Sequence, residues 1–279
     1  MGLMSLLNRY RAGTQAANAA PELMSDADYE KARITASGKQ FHQELNYFIR
    51  RIENLQNFSL VRFGDGEMMI IEGQGIDLSG KYNGEHKYVP GDAQQEQQRS
   101  LLAQSLAYRD ADYFVGIACP CCVGQASFDH LKQAANQHEQ QLSWANVFVN
   151  SNYSAFQERL VPALSLRRVN IVCHERAVTD NLPFVINRRF SVGPNSWVND
   201  HQRLRQEMLE YIESVQGNDE VFLFCAGVLS NIIIFELATH APQHTYIDMG
   251  SVFDVQLELG KTRKYLKKGK TLKKVCVWN

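Results

Sequence analysis

The stretch Ser59–Gly73, SLVRFGDGEMMIIEG, runs a short apolar segment into Gly64-Asp65-Gly66-Glu67 and then straight back into Met68-Met69-Ile70-Ile71. The run Ser59–Phe63 predicts a strand. The acidic turn beyond it admits two readings. Gly-Asp-Gly is turn chemistry in its own right, and Asp65 is suited to cap a helix beginning near Glu67. The other reading aims both carboxylates at a ligand. Residues two apart point the same way in extended backbone and diverge in a helix. Asp65 and Glu67 therefore converge only if Gly66 keeps the chain extended, which glycine is free to do. Two hard oxygen donors so placed suit Mg²⁺ or Mn²⁺, ions that bridge carboxylates to substrate phosphates. On spacing alone the turn-and-cap reading is favoured. Arg62, inside the strand, fits either a phosphate contact or a snorkelling edge position.

Working outward, strands and helices alternate. Helical spacing covers Phe41 to Gln56, and helices are predicted over Gln94–Tyr108, Ser127–Gln141, Tyr153–Leu160, Asp200–Gln216 and Leu229–Thr239, with one more at Asp26–Thr35. Predicted strands are Tyr113–Ala118, Ala145–Asn150, Val169–Cys173, a short one near Phe190–Val192, Glu220–Cys225 and Thr245–Asp248. Strands separated by helices of this length imply βαβ units and a Rossmann-like α/β fold: an open, mostly parallel sheet with helices on both faces. The expected organisation is an extension over 1–40, one domain over 41–266 and a basic tail over 267–279. Such sheets bind ligands beyond the carboxyl ends of their strands. That rule selects Gly64–Glu67, Cys119–Cys122, His174–Arg176, Ala226–Ser230 and Met249–Asp254. It also moves the preference at Asp65 and Glu67 towards a ligand site.

At 279 residues, 44% apolar and 21% charged, the chain has the composition of an ordinary globular protein. Its net charge of −1 hides an asymmetry. Eight Lys or Arg and no acid follow residue 260, leaving 21 basic and 30 acidic side chains before it. The basic end, with Tyr265, Leu266 and Trp278, suits weak contact with an anionic membrane surface, or a solvated terminus. No nucleic-acid partner is expected. Met1 to Ala20 lacks the sustained apolar core of a secretory signal. Val221 to Ala238 is long and apolar, but Gly227, Ser230, Asn231 and Glu236 make it read as strand, turn and helix rather than a membrane span. Six cysteines, three crowded into Cys119–Cys122 and three scattered singly, form no paired framework, so a reducing, cytoplasmic setting is expected.

Other motifs are incomplete. Gly64-Asp65-Gly66-Glu67-Met68-Met69 begins like a dinucleotide fingerprint, but Met69 stands where a third small residue belongs. A pyrophosphate there would also crowd Glu67, which weighs against an NAD(P)-dependent oxidoreductase. Cys119-Pro120-Cys121-Cys122 resembles half of a deaminase zinc site without its His-x-Glu, so these thiols are expected to be buried and structural. His174-Glu175-Arg176 opens like HExxH, but Val178 fills the place of the second His. Lys261 and Arg263 are candidate diphosphate clamps.

Taken together, these pieces resemble the GT-D glycosyltransferases, a family with a Rossmann-like domain and a D-x-E motif, over roughly Phe58 to Leu266. VRFGDGE is similar to the family's strand and D-x-E turn. HERAVTDNLPF, VFLFCAGVLSNIIIFEL and YIDMGSVFD are similar to later family segments, in the same order. Val228 and Leu229 replace the more usual Pro and small polar residue, and Ser251 stands where some members have His. The resemblance implies transfer of a sugar from a nucleoside diphosphate donor, a UDP-sugar being expected, to a glycan, glycoprotein or glycolipid acceptor. It implies a divalent cation, Mn²⁺ or Mg²⁺, on Asp65 and Glu67. Asp248, Asp254 and His174 are the further catalytic candidates. Arg62, Gly64, Gly66, Arg176, Asn181, Gly227, Ser251 and Arg263 are the expected substrate-binding residues. A non-catalytic binding protein on the same fold is the remaining alternative.

Overall fold

A computed structural model of the chain describes residues 40–78, 87–215, 219–260 and 274–277. The predicted helix at Asp26–Thr35 and the positions Lys261, Arg263 and Trp278 lie outside these.

Helix α1 (Phe41–Glu53) buries Phe41, Leu45, Phe48, Ile49 and Ile52, one stripe at helical spacing. Strand β1 (Ser59–Phe63) comes next, then the short helix α2 (Asp65–Ile71) and a small antiparallel pair, β2 (Ile76–Asp77) with β3 (Lys87–Tyr88). Helix α3 (Ala93–Ala107) opens on Asp92, whose carboxylate accepts the Gln95 N–H. Strand β4 (Tyr113–Ile117) precedes helices α4 (Pro120–Val123) and α5 (Gln125–Ala135) and strand β5 (Leu142–Trp144). An irregular helical run from Asn150 to Leu164 leads to β6 (Val169–His174) and β7 (Ile186–Val192). The chain continues through α6 (Ser196–Asn199), α7 (His201–Ser214), β8 (Val221–Phe224), α8 (Val228–His240) and β9 (Thr245–Asp248).

The main sheet has seven strands in the order β5-β4-β1-β9-β8-β6-β7, every pairing parallel. Its central strands are buried on both faces, as a covered parallel sheet requires. The edges are blunted: β5 is three residues long, and β7 carries Arg188 and Arg189. Right-handed crossovers place α3, α5, α7 and α8 on one face. The reversed crossover from β5 to β6 puts the Asn150–Leu164 run on the other, with α1 packed against it. Helix α8 is buried on nearly all sides, which accounts for its apolar sequence. No helix among the described residues is long and apolar enough to cross a membrane.

Three predicted elements shift. The strand expected at Ala145–Asn150 is instead β5 at Leu142–Trp144. The Ala145 N–H closes the ladder on the Ile117 carbonyl at 2.9 Å, and Val147 and Val149 then turn back on Trp144 and Asn146. Val147, Phe148 and Val149 are apolar because they cap the end of the sheet. The helix expected to reach Gln141 stops at Ala135, where Asn136 adopts a left-handed conformation with φ 49°. Strand β7 begins at Ile186, earlier than its apolar residues indicate, because an edge strand tolerates outward arginines.

The first and last strands of the sheet, β1 and β9, lie side by side, and there it parts. Ser59 and Leu60 pair with Tyr246 and Ile247, but β9 then stays with β8 alone, through Phe224 and Asp248. This leaves the Arg62 backbone without a strand partner on that side. Asn231 of α8 supplies one. Its Oδ1 accepts the Arg62 N–H at 3.1 Å, and its Nδ2 donates to the Arg62 carbonyl at 3.1 Å. Asn231 is fully buried, and the Ser105 hydroxyl donates to its carbonyl. An Asn231→Leu variant keeps the branching of the side chain, adds some bulk and strands two buried backbone groups. We expect it to lose about 2–5 kcal/mol of stability in urea denaturation. A loss under about 0.5 kcal/mol would show that this bridge is dispensable.

Candidate active site

The parting of β1 and β9 makes the crevice in which open α/β sheets hold ligands. Arg62 leaves β1 into it. Its Nε donates to Asp248 Oδ2 at 3.2 Å, its Nη2 to Asp248 Oδ1 at 3.4 Å and its Nη1 to the Ala145 carbonyl at 2.8 Å. The guanidinium also lies 5.8 Å from the centroid of the Phe148 ring. Arg62 is thus no snorkelling edge residue. It sits on a central strand and ties the ends of β1, β9 and β5 together. Asp248, only 5% exposed, also accepts the Gly250 N–H at 2.8 Å. Burial pushes its carboxyl above the usual range, and the Arg62 guanidinium opposes that rise. Gly250 has φ +53°, and a Cβ there would collide with the Arg62 guanidinium, so the position requires glycine twice over.

The backbone after Gly64 is helical, which corrects the expectation of an extended Gly66. Gly64 is the N-cap of α2, and Glu67 folds back so that its Oε2 accepts the Gly64 N–H at 2.9 Å. Asp65 is exposed at the first helical position, its Oδ1 accepting the Gly66 N–H at 3.0 Å. Capping therefore belongs to Glu67 rather than Asp65. The two acids are gathered at one helix end by the cap and the turn. Burial raises the Glu67 carboxyl, the Gly64 hydrogen bond resists, and the charges of Asp248 and Asp65 push it up further. Asp65 and Asp248 thus both lie within electrostatic reach of Glu67. Asp65 also lines a cavity of about 510 Å³ with Met68, Met69, Glu72, Cys122 and His130. That volume suits a small organic ligand.

The remaining candidates divide. Asp254, 8% exposed, raises the thiol of half-buried Cys225 together with Asp248, while Arg62 lowers it, which puts all three near the end of β8. Gly227, with φ +56°, makes the turn from β8 into α8. Ser251 is half-buried in the turn after β9, and its carbonyl accepts the Asp254 N–H. His174 ends β6, three strands from β1 and so about 14 Å across the sheet. Its Nδ1 accepts the Arg176 N–H at 3.1 Å, a local turn that leaves Arg176 exposed. Asn181 donates to Glu258 at 2.8 Å instead of joining the acids. Sequence reasoning missed Asn231 as a site-forming residue. Its signal was one amide in the apolar run VLSNIIIFEL. It also expected buried thiols at Cys119–Cys122, whereas Cys121 and Cys122 are exposed.

Fold and site together define an open parallel α/β protein with an acid-and-arginine crevice where β1 and β9 part. No protein-family model and no curated protein matches the chain. Solved structures do. One, described as a new glycosyltransferase (DUF1792) from Streptococcus sanguinis, aligns over 80% of this chain and 85% of its own, at TM-score 0.55 and 15% identity. Another, described as the highly conserved domain of unknown function 1792 with a distinct glycosyltransferase fold, aligns over 79% and 82% at TM-score 0.51 and 19% identity. A selenomethionine-substituted DUF1792 structure aligns over the same shares at TM-score 0.53 and 19% identity. The chain therefore has the Rossmann-like glycosyltransferase fold of those structures.

A raised carboxyl pKa means that the folded state holds its proton more tightly than the unfolded chain, so stability is lost as pH rises through the elevated folded value. Glu67→Gln keeps an acceptor for the Gly64 N–H and removes that loss. In chelator, we expect it to melt above the parent at neutral pH, with a flatter profile from the ordinary carboxylate range upward. A lower melting temperature at every pH would show that the charge of Glu67 is not what the fold resists.

Proposed function

We propose that the chain is a metal-dependent glycosyltransferase, moving a sugar from a nucleoside diphosphate donor, with a UDP-sugar expected, to a glycan or glycoconjugate acceptor. The supporting observation is Glu67 within electrostatic reach of Asp65 and Asp248, with Asp248 held by Arg62 where β1 and β9 part, in a fold shared with glycosyltransferase-fold structures. Asp65 and Asp248 both act on the Glu67 carboxyl, so the donor set is one of hard oxygens and favours a hard divalent cation. Asp65 and Glu67 would hold Mg²⁺ or Mn²⁺, which when bound supplies counter-charge for a leaving diphosphate.

The protein's own groups do the positioning. The Gly64 N–H fixes one oxygen of Glu67, which sets the rotamer of that side chain before any ligand arrives. Asp248 has both oxygens engaged by Arg62 and Gly250, so we assign it to orienting Arg62 rather than to accepting a proton. A guanidinium held in place beforehand stabilises developing negative charge without reorganising. Of the three acids and bases considered for the acceptor hydroxyl, His174 stands across the sheet, and Asp254 is the one we assign. A dinucleotide cradle is disfavoured, because the Gly64 N–H that would meet a pyrophosphate already donates to Glu67.

The test is a nucleotide-sugar panel with Mn²⁺ or Mg²⁺ and acceptor lysate, read by release of nucleoside diphosphate. Turnover is expected, falling about 100-fold or more in Asp65→Ala with the circular dichroism unchanged. Full activity in that variant would overturn the site assignment. Silence across the panel, with thermal stabilisation by NAD(H), would overturn the class.

A further inference from the structure

Beside the acidic crevice lies a second, chemically different cluster. Strand β4 ends at Ile117, and the segment beyond it, Cys119 and the short helix α4, brings Cys119, Cys121 and Cys122 together with Cys276 from the far end of the chain. The four sulfurs all lie within 4.8 Å of one another. Cys119 and Cys276 are buried, while Cys121 and Cys122 are exposed. We propose that these four cysteines form a structural zinc site that fastens the segment 274–277 to the loop after β4.

The geometry suits a thiolate-bound ion better than the alternatives. Tetrahedral zinc, with Zn–S near about 2.3 Å, sets sulfurs about 3.8 Å apart. The sulfurs of Cys119 and Cys121, 3.1 Å apart, stand well beyond the bonded sulfur distance of about 2.05 Å. Four soft sulfur donors select zinc over the hard ions suited to Asp65 and Glu67. Donors also surround the sulfurs, as the outer shell of a metal–thiolate site does. Lys274 Nζ lies 3.1 Å from Cys122 Sγ and 3.2 Å from the Cys121 carbonyl. Asn146 Nδ2 approaches Cys122 Sγ at 3.2 Å, and Asn150 Nδ2 approaches Cys276 Sγ at 3.4 Å. The Ser151 N–H donates to the Lys274 carbonyl at 3.0 Å, so the segment is already aligned by its backbone. Binding replaces thiol protons, which pass to solvent, with one divalent ion, and no oxidant is involved. All four ligands come from protein, which marks a closed site without an open catalytic position. Since Cys122 also lines the cavity that holds Asp65, the ion would stiffen one wall of that cavity. None of this depends on the proposed glycosyl transfer.

The full-length chain, purified without chelator, is to be assayed for metals by mass spectrometry and for thiols under denaturing conditions. About one zinc per chain is expected, with all six cysteines reduced. Cys121→Ser, at an exposed position, and Cys276→Ser should each lose most of the zinc. Asp65→Ala should keep it, which separates this site from the acidic one. Cobalt substituted into the apo-protein should show the visible bands of a tetrahedral thiolate complex, lost in Cys121→Ser. Zinc-free protein that stays folded and takes up no zinc would overturn the proposal. So would iron in its place, a disulfide among the four, or full zinc occupancy in both cysteine variants.

Discussion

One hydrogen-bonding demand organises this molecule. In a parallel sheet every backbone donor and acceptor has to be met by the next strand. At Arg62 the next strand has gone: β9 accompanies β8 away from β1 after Ile247. The Asn231 side chain meets both groups, acting as a one-residue strand inserted from a helix. Because that demand is met from the side, the carboxyl ends of β1 and β9 can stay apart. The Arg62 guanidinium and the Asp248 carboxylate fill the opening and hold its width, while Gly250 leaves room for them.

The electrostatics of the opening follow from burial. Asp248 and Glu67 are both driven towards their neutral forms by loss of water, and the charge of Asp248 pushes Glu67 further. A stable core would not be arranged this way. Residual charge held against desolvation is a property of sites that wait for a counter-ion or an anionic ligand. The Glu67 side chain carries two duties at once, capping α2 and presenting a carboxylate, and the cap is what makes its position reproducible. The cysteine cluster on the neighbouring loop works by a different chemistry, soft sulfur rather than hard oxygen, so two cations could be sorted without competition.

Much of the architecture was legible because parallel strands buried on both faces leave unmistakable apolar runs. Ser59–Phe63 and Thr245–Asp248 read directly as β1 and β9. Where reading failed, burial had been taken for strand. Val147–Val149 is apolar because it closes the end of the sheet. The turn at Gly64 failed in a more instructive way. The motif's two acids do follow the carboxyl end of β1, but bringing them together by spacing required extended backbone, and the chain is helical there. Residues two apart on a helix diverge, yet a side chain long enough to fold back on the N-cap undoes that divergence.

The order of strands and helices, the parallel sheet and the acids leaving β1 were determined by local pattern, since apolar period and turn residues are properties of neighbours in sequence. Which charged groups meet was decided only by the fold. Arg62 finds Asp248, Asn231 finds the backbone of β1, and Cys276 finds Cys119 through Cys122, each across more than half of the chain. No spacing rule encodes such pairs. They exist because the long crossover from β5 to β6 carries the chain past β1, and the later crossovers bring β9, the last strand, back to lie beside β1, the first of the sheet.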